Sequence, residues 1–166
     1  MCFLNMNKMK ERITWDEYAM HLAEAAALRS EDPYVAVGAA AFDLQNRVLG
    51  VAYNGLAPGK VVTDVFWADR DGRRPYILHA ETNLLSLFKK SEGHMIACTL
   101  LPCSACARQI VAHGIKRVLY RDVYTKDMGA LDIFNFYNIE VKKIKLPFSI
   151  TNSTLRNNEY YNEDRN

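Results

Sequence analysis

Two short motifs that must meet in space constrain this chain more than anything else in it. They are His79-Ala80-Glu81 and, beyond an apolar run, Pro102-Cys103-Ser104-Ala105-Cys106. Two cysteines at i and i+3 on the first turn of a helix point the same way, and a histidine at another helix start can complete a Zn2+ site. A fold that serves both motifs has to bring two helix starts to one point. His79, Cys103 and Cys106 supply three ligands and leave the fourth tetrahedral position for water, which separates a catalytic zinc from a structural one. Glu81, two residues past the histidine, is then placed to handle the protons of that water. Zinc brings the pKa of bound water down to about 7, so hydroxide is available near neutral pH to attack an electron-poor amidine carbon. One carboxylate serves as base and then as acid, because ammonia leaves far more easily than an amide anion. Both cysteines must bind as thiolates, and a helix N-terminus beside a dication favours that form. Pro102 suits the position just before or at such a helix start, where no backbone donor is needed.

Other readings of these residues account for less. A Cys-x-x-Cys pair also suits a redox dithiol, but that reading gives His79 and Glu81 no purpose. A closed structural zinc needs a fourth ligand, and His21, His94, His113, Cys2 and Cys98 stand at no ligand-like spacing. Cys98 lies in an apolar run and reads as core. His113, just before Gly114, reads as a last-turn residue whose charge suits a helix C-terminus. His21 and His94 read as surface or packing residues.

The 166 residues are 49% apolar and 24% charged, within the range of one globular domain, and no run of about 18 apolar residues suggests a membrane span. Met1-Cys2-Phe3-Leu4 is too short an apolar start for a secretory leader. Four cysteines, two of them assigned to metal, point to a reducing compartment, with the cytoplasm as the default. A formal net charge of +2 gives little electrostatic reason to bind a nucleic acid, and no basic stripe with interleaved aromatics stands out. Arg70, Asp71, Gly72, Arg73 and Arg74 form a charged cluster that reads first as solvated loop and second as a phosphate contact.

Thr14-Trp15-Asp16-Glu17 is a capping box, and the apolar spacing after it predicts a helix from Trp15 to Arg29, ended by Asp32-Pro33. Val35 to Phe42 and Arg47 to Tyr53 read as an antiparallel hairpin. The stretch from Asn54 almost to His79 is too long for a plain connector and is a candidate binding loop. Beyond it the pattern predicts a helix from His79 to Lys90, a strand from Met95 to Leu101, and a helix from Cys103 to His113 stopped by Gly114. A strand from Lys116 to Arg121, a helix from Met128 to Tyr137 and a strand from Ile139 to Ile144 complete the pattern. The order αββαβαβαβ predicts an α/β layered sheet of five strands, with parallel neighbours where helices cross over and the two metal helices on one face. Residues 1–13 read as an N-terminal extension, 14–147 as the zinc domain, and 148–166 as a polar tail that is either mobile or in contact with a partner subunit.

His79-Ala80-Glu81-Thr82-Asn83, the run Thr99 to Ala107 and Gly114-Ile115-Lys116 resemble the cytidine/deoxycytidylate deaminase superfamily. Arg29-Ser30-Glu31-Asp32-Pro33, Val37-Gly38-Ala39, Tyr53-Asn54-Gly55, Trp67 and Asp122-Val123-Tyr124 resemble segments of its deoxycytidylate (dCMP) branch. The resemblance runs from about Tyr18 to Lys143. It implies the three-layer deaminase fold, a five-stranded mixed sheet flanked by helices. It also implies a homo-oligomer built from dimers, up to a hexamer, and conversion of dCMP to dUMP for thymidylate supply. Carried across, it makes His79, Cys103 and Cys106 the ligands of one Zn2+ per chain and Glu81 the proton shuttle. Ala80 would offer its backbone amide to the pyrimidine carbonyl, Asn54 would contact the sugar, Tyr124 would line the pocket, and Arg29 would grip the phosphate.

Departures from the family pattern are equally specific. Tyr34-Val35-Ala36 stands where members often carry Asn-Thr-Gln, which replaces polar contacts by bulk at the pocket edge. Leu56-Ala57-Pro58-Gly59 puts the proline one residue late, and Lys60 stands where a cysteine is often found. The family's regulatory site, which takes dCTP or dTTP with Mg2+, is in doubt for that reason. Three function classes follow: a dCMP deaminase, a deaminase of another nucleoside, nucleotide or tRNA base, and a silent zinc-binding regulatory subunit. Free cytidine deaminases usually carry cysteine where His79 stands, and the presence of Glu81 argues against the silent subunit.

Overall fold

The structure is a computed structural model, and it describes residues 12–151. The first helix, α1, runs Trp15–Ala27 because Thr14 and Glu17 cap its start reciprocally, with Thr14 N–H donating to Glu17 Oε2 at 2.7 Å. It ends two residues earlier than the spacing predicts. Strands β1 (Gly38–Phe42) and β2 (Val48–Tyr53) form the expected antiparallel hairpin, turned by Asp43, whose Oδ1 accepts from the amides of Gln45 and Arg47, both at 2.9 Å. Residues 35–37 do not extend β1 as predicted, for a local reason. Asp32 Oδ1 captures the amides of Tyr34 and Val35, and the Asn54 carboxamide takes the amide of Val37 and the carbonyl of Val35. Backbone groups held by side chains in this way are withdrawn from the ladder.

The segment after β2 folds into three short helical pieces: α2 (Asp64–Ala68), α3 (Arg70–Arg73) and a 3-10 turn at Arg74–Tyr76. Then come α4 (Ala80–Leu85), β3 (Met95–Leu100), α5 (Ser104–His113), β4 (Arg117–Asp122), α6 (Gly129–Phe136) and β5 (Glu140–Lys143). Helix α4 is shorter than the predicted His79 to Lys90. Ser86 Oγ donates back to the Asn83 carbonyl at 2.7 Å, and the following turn is drawn onto the end of α5, where the Ser91 amide donates to the His113 carbonyl at 2.8 Å. Helix α5 stops where expected, at Gly114, whose φ of 93° reverses the chain.

The five strands lie in the order β2-β1-β3-β4-β5, antiparallel across β2-β1-β3 and parallel across β3-β4-β5, so the sheet is mixed. The central strands β1 and β3 bury side chains on both faces and make a three-layer molecule. On one face Ala40, Phe42, Met95, Ala97 and Leu119 pack against Ala19, Met20 and Ala23 of α1. On the other, Ala39, Ala41, Ile96, Cys98 and Val118 meet Leu84 of α4, Ala107 and Ile110 of α5, and Phe134 of α6. Both helices that open on the metal motifs therefore share one face, as predicted. Cys98 is core, and His113 plays a structural part, with Nε2 3.2 Å from the Phe88 carbonyl.

Two contacts fix α1 against the sheet. Gly38 lies so close that a Cβ there would stand 1.9 Å from the Ala23 carbonyl oxygen and 2.6 Å from the Ala27 nitrogen. Glu24, fully buried, pairs with Arg121 of β4 and accepts the Ile150 amide at 3.2 Å, which brings residues 148–151 onto α1. The rest of the expected tail, and residues 1–11 of the expected extension, lie outside the described residues.

Because the atoms meeting a new Cβ at position 38 are backbone, the neighbours have no side chain to move aside. Gly38→Ala is expected to destabilise the protein by about 1–3 kcal/mol or more. Urea unfolding monitored by circular dichroism checks this, with Gly59→Ala, where nothing lies within 4 Å of the added Cβ, as the strained but uncrowded comparison.

Candidate active site

His79 is the N-cap of α4 and Cys103 the N-cap of α5, both in extended backbone conformation, so each ligand stands where its helix begins. Cys106 follows one turn into α5, and its amide donates to Cys103 Sγ at 3.5 Å. His79 Nδ1 lies 3.6 Å from Cys103 Sγ and 3.3 Å from Cys106 Sγ, and all three ligand atoms fall within 4.8 Å of one another. A tetrahedral zinc with ordinary Zn–N and Zn–S bonds separates N from S by about 3.6 Å, so the donor set fits the ion. Among the described residues, these three are the group that could hold a metal.

The electrostatics of the bare site show what an ion would have to displace. A hydrogen bond from the Cys106 thiol, set against burial and helped by His79, pulls Cys103 down to about 4. Its bond to Cys103, with burial, pushes Cys106 upward. The two sulfurs thus hold one proton between them. His79 is raised first by its bond to Cys103 and held back by burial. Glu81 is 4% exposed, and that burial lifts its carboxyl above the ordinary range while His79 draws it back. A carboxyl raised in this way is better suited than an ordinary one to carry a proton and to return it.

A cavity of about 340 Å³ opens over these groups, lined by His79, Glu81 and Cys103 together with Val35, Leu100 and Tyr124. Asn54 and Ala80 line it too. Asn54 is also a structural tie. Its Oδ1 accepts from the Val37 amide at 2.8 Å and lies 2.8 Å from Ser30 Oγ, and its Nδ2 donates to the Val35 carbonyl at 2.9 Å. One of its two amide hydrogens is engaged there, and the other is available to the cavity. Arg29 is exposed just past the end of α1 and lies outside the cavity lining.

Sequence reasoning passed over Asp127 and gave Asp32 and Arg73 lesser parts than the structure does. Asp127 holds the start of α5, with Oδ2 accepting the Ser104 amide at 2.8 Å and Oδ1 accepting Ser104 Oγ at 2.5 Å and the Gly129 amide at 3.2 Å. It ties the Tyr124 loop to the metal helix. Asp32, read as a helix terminator, is 3% exposed and faces Arg73 across 3.5 Å. Arg73, read first as solvated loop and second as a phosphate contact, is 4% exposed and lines the cavity with Arg70 and Arg74. The Asp-Gly pair at 71–72 signals a turn, but which residue the turn sends inward depends on aromatic side chains distant in sequence.

The cytidine and deoxycytidylate deaminase zinc-binding region matches residues 13–122. The chain belongs to this deaminase family. A probable deoxycytidylate deaminase of Drosophila melanogaster is 36% identical over 127 residues, which are 69% of this chain and 62% of that relative's own length. The human deoxycytidylate deaminase is 32% identical over 129 residues, 72% of this chain and 71% of that one. The dCMP deaminase of cyanophage S-TIM5, crystallised in complex with dCMP and dUMP, aligns with a TM-score of 0.66 at 26% sequence identity over 81% of this chain and 100% of that one.

Zinc binding requires a neutral imidazole and two thiolates, whereas the metal-free site keeps a proton on the sulfur pair and raises His79. Binding is expected to release protons, and apparent affinity to fall as pH falls. Calorimetric titration of zinc into metal-free protein, in buffers of different ionisation enthalpy, reads both effects. Cys103→Ala is expected to purify without zinc by elemental analysis, and full occupancy in that variant would refute the ligand set.

Proposed function

We propose that this chain hydrolyses dCMP to dUMP and ammonia at one zinc ion held by His79, Cys103 and Cys106, with Glu81 carrying the proton. The observation that carries the reading is the gathering of one imidazole nitrogen and two thiol sulfurs within 4.8 Å, with a sheltered carboxyl beside them. A deoxycytidylate deaminase bound to dCMP and dUMP shares the fold. When bound, zinc supplies a Lewis acid that makes water nucleophilic near neutral pH.

The chain's own residues do the rest. Glu81 accepts the proton that the attacking water gives up as its oxygen bonds to C4, and delivers it to the ring nitrogen N3. The second proton of that water passes through the same carboxylate to the exocyclic amine, which then leaves as ammonia while the C4 carbonyl forms. Ala80 is the first residue of α4, so its N–H is among those the helix leaves unpaired, and it is placed to hold the pyrimidine carbonyl. The free amide hydrogen of Asn54 points the sugar, and Tyr124 with Val35 closes the cavity around the base.

The thiolate ligands need a reducing compartment, which favours the cytoplasm. Val48 and Val51 on edge strand β2, with Leu87 after α4, are exposed apolar side chains that suit contact with a second copy of the chain.

Glu81→Gln is expected to keep zinc and to bind dCMP while losing at least about 10²-fold in turnover, the factor that positioned proton transfer supplies. Ammonia release from dCMP, measured beside zinc content, decides it. Near-normal turnover in this variant would mean that another group moves the proton.

A further inference from the structure

Arg73 is buried at the cavity wall, and none of the steps above uses it. Its side chain is 5% exposed, with the guanidinium carbon 4.7 Å over the Tyr34 ring and 5.9 Å from the centre of the Trp67 ring. Nη2 stands 3.5 Å from Asp32 Oδ1, while Nε and Nη1 are buried and find no hydrogen-bond partner among the described residues. Buried guanidinium donors are normally paired, so two orphans on one group that lines a cavity point to a ligand with acceptor oxygens. The side chain is also held before any ligand arrives, since both rings and Asp32 fix its plane.

The backbone around it is built to hold this pose. Asp69 Oδ1 accepts the Gly72 amide at 2.9 Å, and the Asp69 carbonyl accepts the Arg73 amide at 3.1 Å. A Cβ at position 72 would stand 2.2 Å from Asp69 Oδ2, so a side chain there would push aside the carboxylate that caps the turn. The same turn brings Arg70 and Arg74 to the cavity. Arg74 is only weakly offset by Asp71, 3.4 Å away, because both side chains are more than half exposed. Three cations against Asp32 and Glu81, with Asp32 already engaged by Arg73, leave this wall positive.

We propose that Arg73, flanked by Arg70 and Arg74, is the subsite that takes the 5′-phosphate of the substrate nucleotide. The proposal deepens the deaminase reading and rests on it. A phosphate supplies the acceptor oxygens that the orphan nitrogens lack, and charge-assisted bonds of this kind are the strong ones. The subsite shares one cavity with Glu81, His79 and Cys103, and about 340 Å³ lies within the range of sites for small ligands. Tyr34 acquires a purpose in this arrangement, as the platform on which the phosphate-binding guanidinium rests.

The test compares kcat/KM for dCMP and for deoxycytidine in the wild type, in Arg73→Gln and in the double variant Arg70→Ala/Arg74→Ala, together with thermal stabilisation by inorganic phosphate. Arg73→Gln is expected to reduce the dCMP-to-deoxycytidine ratio at least about tenfold, the factor one charge-assisted hydrogen bond carries, and to abolish stabilisation by phosphate. The double variant, whose side chains are not part of the packed wall, is expected to lower the ratio by a smaller factor and remains informative if Arg73→Gln does not fold. Equal losses on both substrates, or phosphate stabilisation unchanged in the variants, would overturn the subsite while leaving the deaminase reading in place. Absence of ammonia release from dCMP by the wild type would instead remove that reading, and phosphate binding would still decide whether the arginines form an anion site.

Discussion

Everything around the active site depends on two helix starts being aimed at the same point. His79 and Cys103 are both N-caps, and the distance between their ligand atoms is set by how α4 and α5 sit on the sheet. That placement follows from the strand order. β3 lies between β1 and β4, so the chain leaving β3 delivers Cys103 at one edge of a parallel pair, while α4 packs beside it over β1 and β2. Small residues make this geometry possible, since Ala39, Ala41, Ala80 and Ala107 let the helices approach the central strands closely. A larger side chain at any of them would overpack the core on which both helices rest.

The metal site was legible in the sequence because its residue types and spacing leave few chemical alternatives. Helix α1 was legible because a capping box and a 3.6-residue period agree, and the parallel half of the sheet because helices separate its strands. What escaped was structure made by side chains reaching across the chain. Asn54 and Asp32 withdraw the backbone of residues 34–37 from the sheet, which no periodicity records. The three helical pieces between Asp64 and Tyr76 are each too short to show a repeat, and a cap from Asp69 defines the middle one. Arginine in a charged run reads as solvated, and it is the rings of Tyr34 and Trp67 together with Asp32 that hold Arg73 inward.

The departure of Tyr34-Val35-Ala36 from the family pattern takes on a physical sense in the same terms. Val35 puts an apolar side chain in the cavity wall where family members often carry a polar one. Tyr34 stands behind the lining and supports Arg73, which lines the cavity. Polarity removed from one segment returns as a cation supplied by a different loop, so the cavity has one apolar wall and one cationic wall.

The grip of Asp127 on the start of α5 bears on how a nucleotide gets in and out. Two bonds to Ser104 and one to Gly129 fasten the segment that carries Tyr124 to the helix holding both cysteines. Swinging that segment outward would leave the Ser104 amide at the first turn of α5 without its acceptor. Tyr124 is thereby carried on a segment whose position is tied to the helix that bears both cysteines.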